Sequence, residues 1–363
     1  MSFLEERLAR RRSQGNLRQL RVRQGIDFAS NDYLGLARLA LQGELPVGST
    51  GSRLLTGHSL QAEAVEEEIA AFHGFERALL FSSGYMANLG LLSAVAQSSD
   101  LILADAAIHA STRDGIILSR AASYFFRHND LQHLQKRLQQ VTTTGNRFVC
   151  VESIYSTDGS RASLQELARI CDRWGAHLIV DEAHSVGLWG PSGRGWVAEA
   201  GLTRRVFAQV VTFGKALGAQ GAAVLGSSLL REVLINFSRP LIYTTALPPQ
   251  ALAAISAAYA RLPELEPERR HLRALIAQCQ GSDTQIQSLP VPGNGAVKRL
   301  SERLLRAGFD VRPLTSPTVR RGQERLRISL HAFNTREELT RLWETMECNK
   351  SSSQVAVRMW AKP

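Results

Sequence analysis

The sequence predicts an α/β protein, with a mainly parallel sheet in a large domain and a second, smaller α/β domain. Apolar runs of strand character alternate with segments of helical periodicity, which is the pattern of parallel sheets. The length of 363 residues also favours two domains. After Pro248-Pro249 the pattern changes to an alanine-rich helix, a charged linker and helices mixed with short strands, and Thr335 and Glu338 are expected to cap the last helix. We expect an N-terminal arm (1–37), a large domain (38–250), a small domain (251–348) and a polar tail (349–363).

The first helix of the large domain is predicted after Ser59, a residue type that caps helix N-termini. Val65, Ile69 and Phe72 follow at the spacing of one helical face. Gly74 is expected to end this helix, because glycine adopts the left-handed conformation of a helix C-cap without strain.

A strand-turn-helix pattern follows in ALLFSSGYMANLGLLSAVA (78–96). A strand that turns through glycine into a helix presents free backbone amides and the positive end of the helix dipole to an anion. Gly84 and Tyr85 at this turn are therefore candidates for binding a phosphate. An ordinary strand-to-helix turn has the same pattern, so other residues must support this interpretation.

Polar side chains also lie just beyond the next predicted strands. His109 follows DLILAD (100–105), and Ser156 follows RFVCVES (147–153). In a parallel sheet these positions lie at the carboxyl ends of the strands, where ligands bind. A histidine in such a loop is more often a hydrogen-bonded structural residue than a catalytic one.

Asp181 ends the next predicted strand, AHLIVD (176–181), and His184 lies shortly after it. The helix before this strand is expected to start with a capping box formed by Ser163 and Glu166. A buried carboxylate costs on the order of several kcal/mol unless a cation pairs with it, and the nearby sequence offers none. The protonated pyridine nitrogen of pyridoxal phosphate would serve, since its contact with an aspartate makes that cofactor an electron sink.

Lys215 is the lysine whose sequence neighbours are least typical of a surface position. The chain has 43 Lys plus Arg but only five lysines, and the other four lie among polar or charged neighbours. Lys215 instead follows the apolar run VVTF (210–213) and is flanked by Gly214 and Gly218. Desolvation lowers the pKa of an amine and leaves the neutral form that attacks a carbonyl. A lysine that reaches water from a strand end is the alternative interpretation.

The composition, with 44% hydrophobic and 21% charged residues, is that of an ordinary globular protein. The chain lacks an apolar run of membrane-spanning length and the apolar core of a signal peptide, so we expect a cytoplasmic protein without a membrane partner. Its four cysteines contain no CxxC pair, which argues against disulfides or a zinc site. The net charge of +10 fits anionic substrates, nucleic acid or a solvated basic face, and arginines are denser only at 7–23 and 320–327.

Two other classes of function fit these residues less well. DEAH (181–184) is also a helicase signature, but a helicase needs an upstream GxxxxGK[ST] loop. The only Gly-Lys pair lies downstream and is followed by Ala216, so we expect no nucleic-acid partner. A non-catalytic binding module of the same fold would leave Lys215, Asp181 and His184 without an explanation.

The ordered set of motifs resembles the α-oxoamine synthase family of fold type I pyridoxal-phosphate enzymes. The matching segments are SNDYLGL (30–36), SSGYMAN (82–88), DAAIHAS (105–111), VDEAHSVG (180–187), TFGKALG (212–218) and RLRISL (325–330). So many motifs in one order are far more specific than any single motif. The resemblance implies a seven-stranded sheet, pyridoxal 5'-phosphate as cofactor, no metal, and a homodimer with shared active sites.

The resemblance also implies a role for each matching residue. Lys215 would hold the cofactor as a Schiff base and move the proton at the α-carbon of the substrate, while His109 stacks on the cofactor ring. Asp181 would pair with the pyridine nitrogen, and His184 would bind the phenolic oxygen with Ser156 nearby. The remaining implied contacts are Gly84, Tyr85 and Thr212 for the phosphate, Thr244 or Thr245 for the phosphate of a neighbouring subunit, Arg327 and Asn31 for the amino-acid carboxylate, and Arg18 and Thr318 for the substrate.

Within the family, SRPLIYTTALPP (238–249) and SPTV (316–319) most resemble the member that acts in biotin biosynthesis. The implied reaction is a decarboxylative condensation of L-alanine with pimeloyl-CoA or pimeloyl-carrier protein. Its products are 8-amino-7-oxononanoate, carbon dioxide and the free thiol. A glycine- or serine-using acyltransferase of the same family is the alternative.

Overall fold

The computed structural model describes residues 9–17, 25–38 and 48–347. They form two compact units. The larger unit comprises Leu34–Tyr155 and Arg161–Pro267, and the smaller unit comprises the described parts of Met1–Tyr33, Ser156–Ser160 and Glu268–Pro363.

The chain forms twelve described strands, with helices between most of them. The strands are β1 (Ile26–Asp27), β2 (Arg77–Phe81), β3 (Leu101–Asp105), β4 (Ala122–Phe126), β5 (Arg147–Glu152), β6 (Ala176–Asp181), β7 (Ala208–Thr212), β8 (Ala222–Gly226), β9 (Ile286–Pro290), β10 (Phe309–Asp310), β11 (Arg312–Leu314) and β12 (Arg325–Ser329). The helices are α1 (described over 9–13), α2 (Leu60–His73), α3 (Gly84–Val95), α4 (Ala110–Ser119), α5 (Leu131–Gln140), α6 (Leu164–Trp174), α7 (Trp196–Glu199), α8 (Ser228–Phe237), α9 (Arg239–Ile242), α10 (Pro249–Arg261), α11 (Glu266–Ile276), α12 (Asn294–Arg306) and α13 (Arg336–Glu347). Short 3₁₀ turns lie at Leu36–Arg38, Pro191–Gly193 and Leu262–Glu264.

The larger unit contains a seven-stranded sheet with the order β2-β8-β7-β6-β5-β3-β4. All neighbouring strands are parallel except at β8, which is antiparallel to both β2 and β7. The predicted fold class, with a mainly parallel seven-stranded sheet, is confirmed. Because β6 and β7 are parallel and adjacent, with Asp181 paired to Val210, their carboxyl ends present Asp181 and the turn that holds Lys215 at the same edge of the sheet.

The two faces of this sheet pack against separate apolar cores. In β5, Phe148 and Cys150 belong to one core, and Val149 and Val151 belong to the other. This alternation follows from the period of two residues in a strand. Both faces are therefore covered, as is usual for parallel sheets, and the ends of the strands remain as the place for polar chemistry.

The predicted helix ends of the larger unit are confirmed, except for the capping box at the start of α6. The hydroxyl of Ser59 accepts a hydrogen bond from the Ala62 amide at 3.2 Å, and Gly74 ends α2 in the left-handed conformation, as predicted. Helix α6 also starts after Ser163, but the predicted capping box is wrong because the Ser163 side chain makes no capping hydrogen bond. Its backbone has φ −77° and ψ 71°, away from the extended conformation that aims a capping hydroxyl at the helix.

The smaller unit contains an antiparallel sheet with the order β11-β12-β9 and a parallel pair formed by β1 and β10. The predicted cap of the last helix is present. The Thr335 amide donates to the Glu338 carboxylate at 3.0 Å, and the Glu338 amide donates to the Thr335 hydroxyl at 3.1 Å. Sheet pairing thus joins the N-terminal strand to the C-terminal part of the chain.

The division into units differs from the predicted boundaries at residues 37 and 250. Helix α10 packs on α2, so the larger unit continues to Pro267. Pairing of β1 with β10 and contact of the Phe28 and Phe309 rings, at 6.2 Å between centroids, place the described arm residues up to Tyr33 in the smaller unit. Both differences come from contacts between segments that are distant in sequence.

The described cysteines are buried free thiols, at Cys150, Cys171 and Cys279. Burial raises the pKa of each of these thiols to about 12. Cys348 lies outside the described residues, as does the polar tail. In the ranges that the structure describes, no helix has both the length and the apolar composition needed to cross a membrane.

Candidate active site

The turn between β2 and α3 lies against the end of β7. Ser83 caps α3 by accepting a hydrogen bond from the Met86 amide at 3.2 Å, so the first helical amides, those of Gly84 and Tyr85, have no acceptor within the helix. A Cβ atom at Gly84 would lie 2.3 Å from Cγ2 of Thr212. The Thr212 Oγ1 atom is buried and has no hydrogen-bond partner in the described part of the chain. Free amides beside an unsatisfied hydroxyl are the donor set that a phosphate needs.

Asp181 ends β6 as a buried carboxylate, with 7% of its surface exposed. Its Oδ1 atom accepts a hydrogen bond from the Ala183 amide at 2.9 Å, and Oδ2 accepts one from the Asn88 side chain at 2.8 Å. Both donors are neutral, and among the described residues no lysine or arginine forms an ion pair with this carboxylate. A cationic group of a ligand would supply the missing charge, as the sequence predicted.

His109 lies at the start of α4 as its N-cap residue. Its Nδ1 atom lies 3.2 Å from the Ser111 amide nitrogen and 2.7 Å from the Ser111 hydroxyl. Partial burial lowers the pKa of His109, and the positive charge of Lys215 acts in the same direction, while Asp181 and Asp114 oppose it. His109 therefore lies within electrostatic reach of both Asp181 and Lys215.

Tyr85 flanks His109 on the exposed side. The two rings meet edge to face, 6.4 Å apart between centroids. The Tyr85 hydroxyl donates a hydrogen bond to the Asp114 carboxylate, which raises the pKa of Tyr85. The Tyr85 ring thus has a fixed orientation beside the first amides of α3.

Lys215 lies in the turn after β7 and is partly buried. Its carbonyl accepts a hydrogen bond from the Gly218 amide at 2.9 Å, which closes the turn. Gly218 has φ +63°, and a Cβ atom there would lie 2.1 Å from the Ala37 amide nitrogen. Glycine is therefore required for this turn to pack where it does. His184, 5% exposed, lies in the corresponding turn after β6.

Arg327 is the centre of a polar cluster in the smaller unit. Its Nε atom donates to the Ser156 carbonyl at 2.7 Å, and Nη2 donates to Oδ1 of Asn31 at 2.9 Å and to the Tyr33 hydroxyl at 3.3 Å. The Tyr33 hydroxyl also donates to Asn31 at 3.0 Å. A guanidinium has more N–H groups than these contacts use, so Arg327 is held in place and can still bind a carboxylate.

Of the two remaining residues predicted to contact substrate, the structure describes Thr318 but not Arg18. Thr318 is exposed, and its amide donates to the Thr315 carbonyl at 2.9 Å in a turn. Arg18 lies outside the described residues. The structure thus brings Gly84, Tyr85 and Thr212 together, and it places His109 near Asp181 and Lys215, while Asn31, Ser156 and Arg327 form a cluster of their own in the smaller unit.

The two arginine-dense segments of the sequence line one groove of the smaller unit. The groove has a volume of about 1060 Å³, and Arg10, Arg11 and Arg321 are among the residues that line it. The positive charge is therefore concentrated in the same unit as Arg327. Within residues 9–17, 25–38 and 48–347, no group of three or more His, Cys, Asp or Glu side chains is placed to hold a metal ion.

Several residues of the site were not predicted from the sequence. Asn88 and Ser111, 4% and 0% exposed, connect Asp181 to His109. Glu182 is fully buried and accepts hydrogen bonds from the Ser185 hydroxyl and from the amides of two residues further along the chain, Trp196 and Val197. Burial raises the pKa of Glu182 to about 7. A polar residue on the apolar face of a predicted helix, such as Asn88, was the one signal available.

Comparison with known proteins identifies the family of this chain. The class I and II aminotransferase family matches residues 23–346. The 8-amino-7-oxononanoate synthase of Nitrosococcus oceani is 44% identical over 354 residues, which cover 92% of this chain and 93% of that protein. A solved 8-amino-7-oxononanoate synthase from Francisella tularensis has a TM-score of 0.74 and 32% identity, covering 89% of this chain and 96% of that one.

A solved serine palmitoyltransferase with pyridoxal phosphate has a TM-score of 0.86 and 26% identity, covering 96% of this chain and 98% of that one. The match to the family spans most of the chain, and it includes every strand of the seven-stranded sheet. The chain therefore belongs to the class I and II aminotransferase family, and within it to the α-oxoamine synthases of fold type I.

Proposed function

We propose that this protein condenses L-alanine with a pimeloyl thioester, pimeloyl-CoA or pimeloyl-carrier protein, to form 8-amino-7-oxononanoate, carbon dioxide and free thiol. The observation that carries the proposal is the buried carboxylate of Asp181, which accepts hydrogen bonds from two neutral donors among the described residues and lies near His109 and Lys215. The 44% identity to an 8-amino-7-oxononanoate synthase supports the choice of reaction within the family.

The residues of the larger unit suit pyridoxal 5'-phosphate. The amides of Gly84 and Tyr85 and the Thr212 hydroxyl would hold its phosphate, and Lys215 would hold it covalently through the side-chain amine. When bound, the cofactor supplies an electron sink for negative charge at the α-carbon of the amino acid. Asp181 would keep the ring nitrogen protonated, because an ionised carboxylate stabilises an adjacent cation.

Other roles follow from the positions of the remaining residues. Lys215, once its amine is free, would take and return the proton at the α-carbon. His109 would cover one face of the ring, and His184 with Ser156 would bind the phenolic oxygen. Arg327, held by Asn31, would bind the carboxylate of L-alanine, and Arg18 and Thr318 would contact substrate.

We also propose that the protein acts in the cytoplasm as a homodimer with shared active sites, in which Thr244 or Thr245 approaches the phosphate of the neighbouring subunit. The positive groove of Arg10, Arg11 and Arg321 suits an anionic acyl donor.

A competition among amino acids tests the proposed reaction. With pimeloyl-CoA as acyl donor, L-alanine is expected to exceed glycine, which lacks its methyl group, and L-serine, which adds a hydroxyl, in kcat/KM by at least about 10-fold. Carbon dioxide release and product mass give the measurement. The high TM-score of the serine palmitoyltransferase makes serine with a long acyl thioester the alternative pair. A preference for serine or glycine would reject the proposal and leave the family unchanged.

Because Gly84 lies close to Thr212, adding a methyl group at position 84 is expected to weaken the binding of pyridoxal phosphate. Gly84→Ala places a Cβ atom 2.3 Å from Thr212 Cγ2, and overpacking of this kind costs roughly 1–3 kcal/mol. We expect the dissociation constant for pyridoxal phosphate to rise by about 10-fold or more, measured by absorbance titration. Gly48→Ala is the control, because a Cβ atom there meets nothing within 4 Å. Equal affinity in the two variants would show that this turn does not bind the phosphate.

A further inference from the structure

Two side chains without an assigned role link Asp181 to His109 through the interior of the larger unit. Asn88 projects from α3, and its Nδ2 atom lies 2.8 Å from Asp181 Oδ2 and 3.0 Å from Ser111 Oγ. Ser111 Oγ in turn lies 2.7 Å from His109 Nδ1. We call this chain of hydrogen bonds, Asp181-Asn88-Ser111-His109, the relay.

The donors of the relay follow from the chemistry of its ends. The carboxylate oxygens of Asp181 accept hydrogen bonds, and the amide nitrogen of Asn88 faces one of them. The same nitrogen has a second proton for Ser111 Oγ. Because Ser111 Oγ accepts that bond, its own hydroxyl proton is available for His109 Nδ1.

A backbone contact gives independent evidence of which nitrogen of the His109 imidazole carries the proton. The Ser111 amide donates to His109 Nδ1 at 3.2 Å, and an amide N–H cannot accept a hydrogen bond. His109 Nδ1 therefore presents its lone pair to two donors from the same residue. In a neutral imidazole the single proton must then be on Nε2.

We propose that Asn88 and Ser111 are positioning residues that hold His109 in its neutral Nε2–H tautomer and orient Asp181. The relay would keep the negative charge of Asp181 available to the cofactor, and in this respect the inference rests on the proposed function. A protonated His109 would place a second cation near Asp181 and would compete with the ring nitrogen for that charge. A neutral ring covers the cofactor without doing so.

Some of the charged and titratable groups around His109 raise its pKa, and others lower it. Partial burial, the largest influence, disfavours a proton on the ring, as does Lys215, whereas Asp181 and Asp114 favour one. Tyr85 contributes a neutral ring edge. Burial is the largest cause of the lowered pKa of His109, and this lowered pKa agrees with the neutral imidazole that the geometry of the relay indicates.

Nitrogen NMR of ring-labelled histidine tests the relay in the full chain without cofactor or substrate. The chain has nine histidines, and His109→Gln assigns the His109 signals. At neutral pH we expect His109 to show an unprotonated Nδ1 and a protonated Nε2. His73 is the internal reference, because its Nδ1 lies 3.0 Å from the Arg194 carbonyl and must carry the proton there, giving the opposite tautomer.

Variants separate the relay from a merely structural role. Ser111→Ala removes one donor to the neutral ring, so the His109 pKa should rise by roughly 0.5–1 pH unit, and Ser111→Thr should restore it. Asn88→Ala should lower kcat in the loaded enzyme with little change in KM for L-alanine. The wild-type spectrum needs no variant to fold, so the proposal stays testable if a substitution fails.

A protonated Nδ1 on wild-type His109, or a His109 pKa that is the same in Ser111→Ala, would overturn the relay. Because the spectra are recorded without cofactor or substrate, this result is independent of the reaction. A preference for an amino acid other than L-alanine, together with the expected tautomer, would reject the proposed function and leave the relay in place.

Discussion

The Lys215→Ala protein is expected to bind pyridoxal phosphate without a covalent bond and to lose at least about 10³-fold in turnover. Lys215 supplies both the amine that fixes the cofactor and the group that moves the α-proton, and no neighbouring histidine can replace the first of these. Reduction with borohydride followed by peptide mass spectrometry is the measurement. It should label Lys215 in the wild-type protein and no lysine in the variant.

Lys136→Ala is the matched control for this prediction, because Lys136 is an exposed lysine on α5. It should leave both the label and the turnover at wild-type values. Labelling of another lysine in the wild-type protein, or retained turnover in Lys215→Ala, would contradict the role of Lys215. Such a result would also remove the main support for the proposed condensation.

Asp181→Asn is expected to reduce kcat by about 10²–10⁴-fold, with weaker binding of pyridoxal phosphate. The substitution keeps the volume of the side chain but leaves the cofactor's ring nitrogen without its anionic partner. Removing one member of a buried ion pair costs roughly 3–5 kcal/mol, which sets this range. Steady-state kinetics at saturating cofactor separates the loss of turnover from the loss of affinity.

The control for Asp181→Asn makes the same chemical change on the surface. Asp172 is 62% exposed and pairs with Arg205, so Asp172→Asn should change kcat by less than about 2-fold, as expected for a surface ion pair. If Asp181→Asn also retained most of its kcat at saturating cofactor, Asp181 would be a structural residue. The proposal would then lose the observation that carries it.

Much of the large unit could be predicted from local sequence. Alternating strands and helices predict a parallel sheet, and parallel strands collect their carboxyl ends at one edge. That rule made His109 and Asp181 candidates for one site, whereas Lys215 was selected by its apolar surroundings. The same local reasoning predicted the helix start at Ser59 and the capping box of Thr335, because both depend on residues within one turn.

Other features could not be predicted from local sequence patterns. The antiparallel direction of β8 depends on which strands it pairs with, and the boundary at Pro267 depends on the packing of α10 against α2. The failed capping box at Ser163 shows that a correct spacing does not ensure the backbone conformation that capping requires.

The sequence by itself determined the fold class, the residue types that a pyridoxal-phosphate site needs, and their positions at strand ends. Only the tertiary structure decided which side chains support them. Asn88 and Asp181 are 93 positions apart, and Arg327 lies 296 positions from Asn31. Hydrogen bonds over such separations form only once each unit has folded, so the periodicity of the chain does not identify which residues are partners.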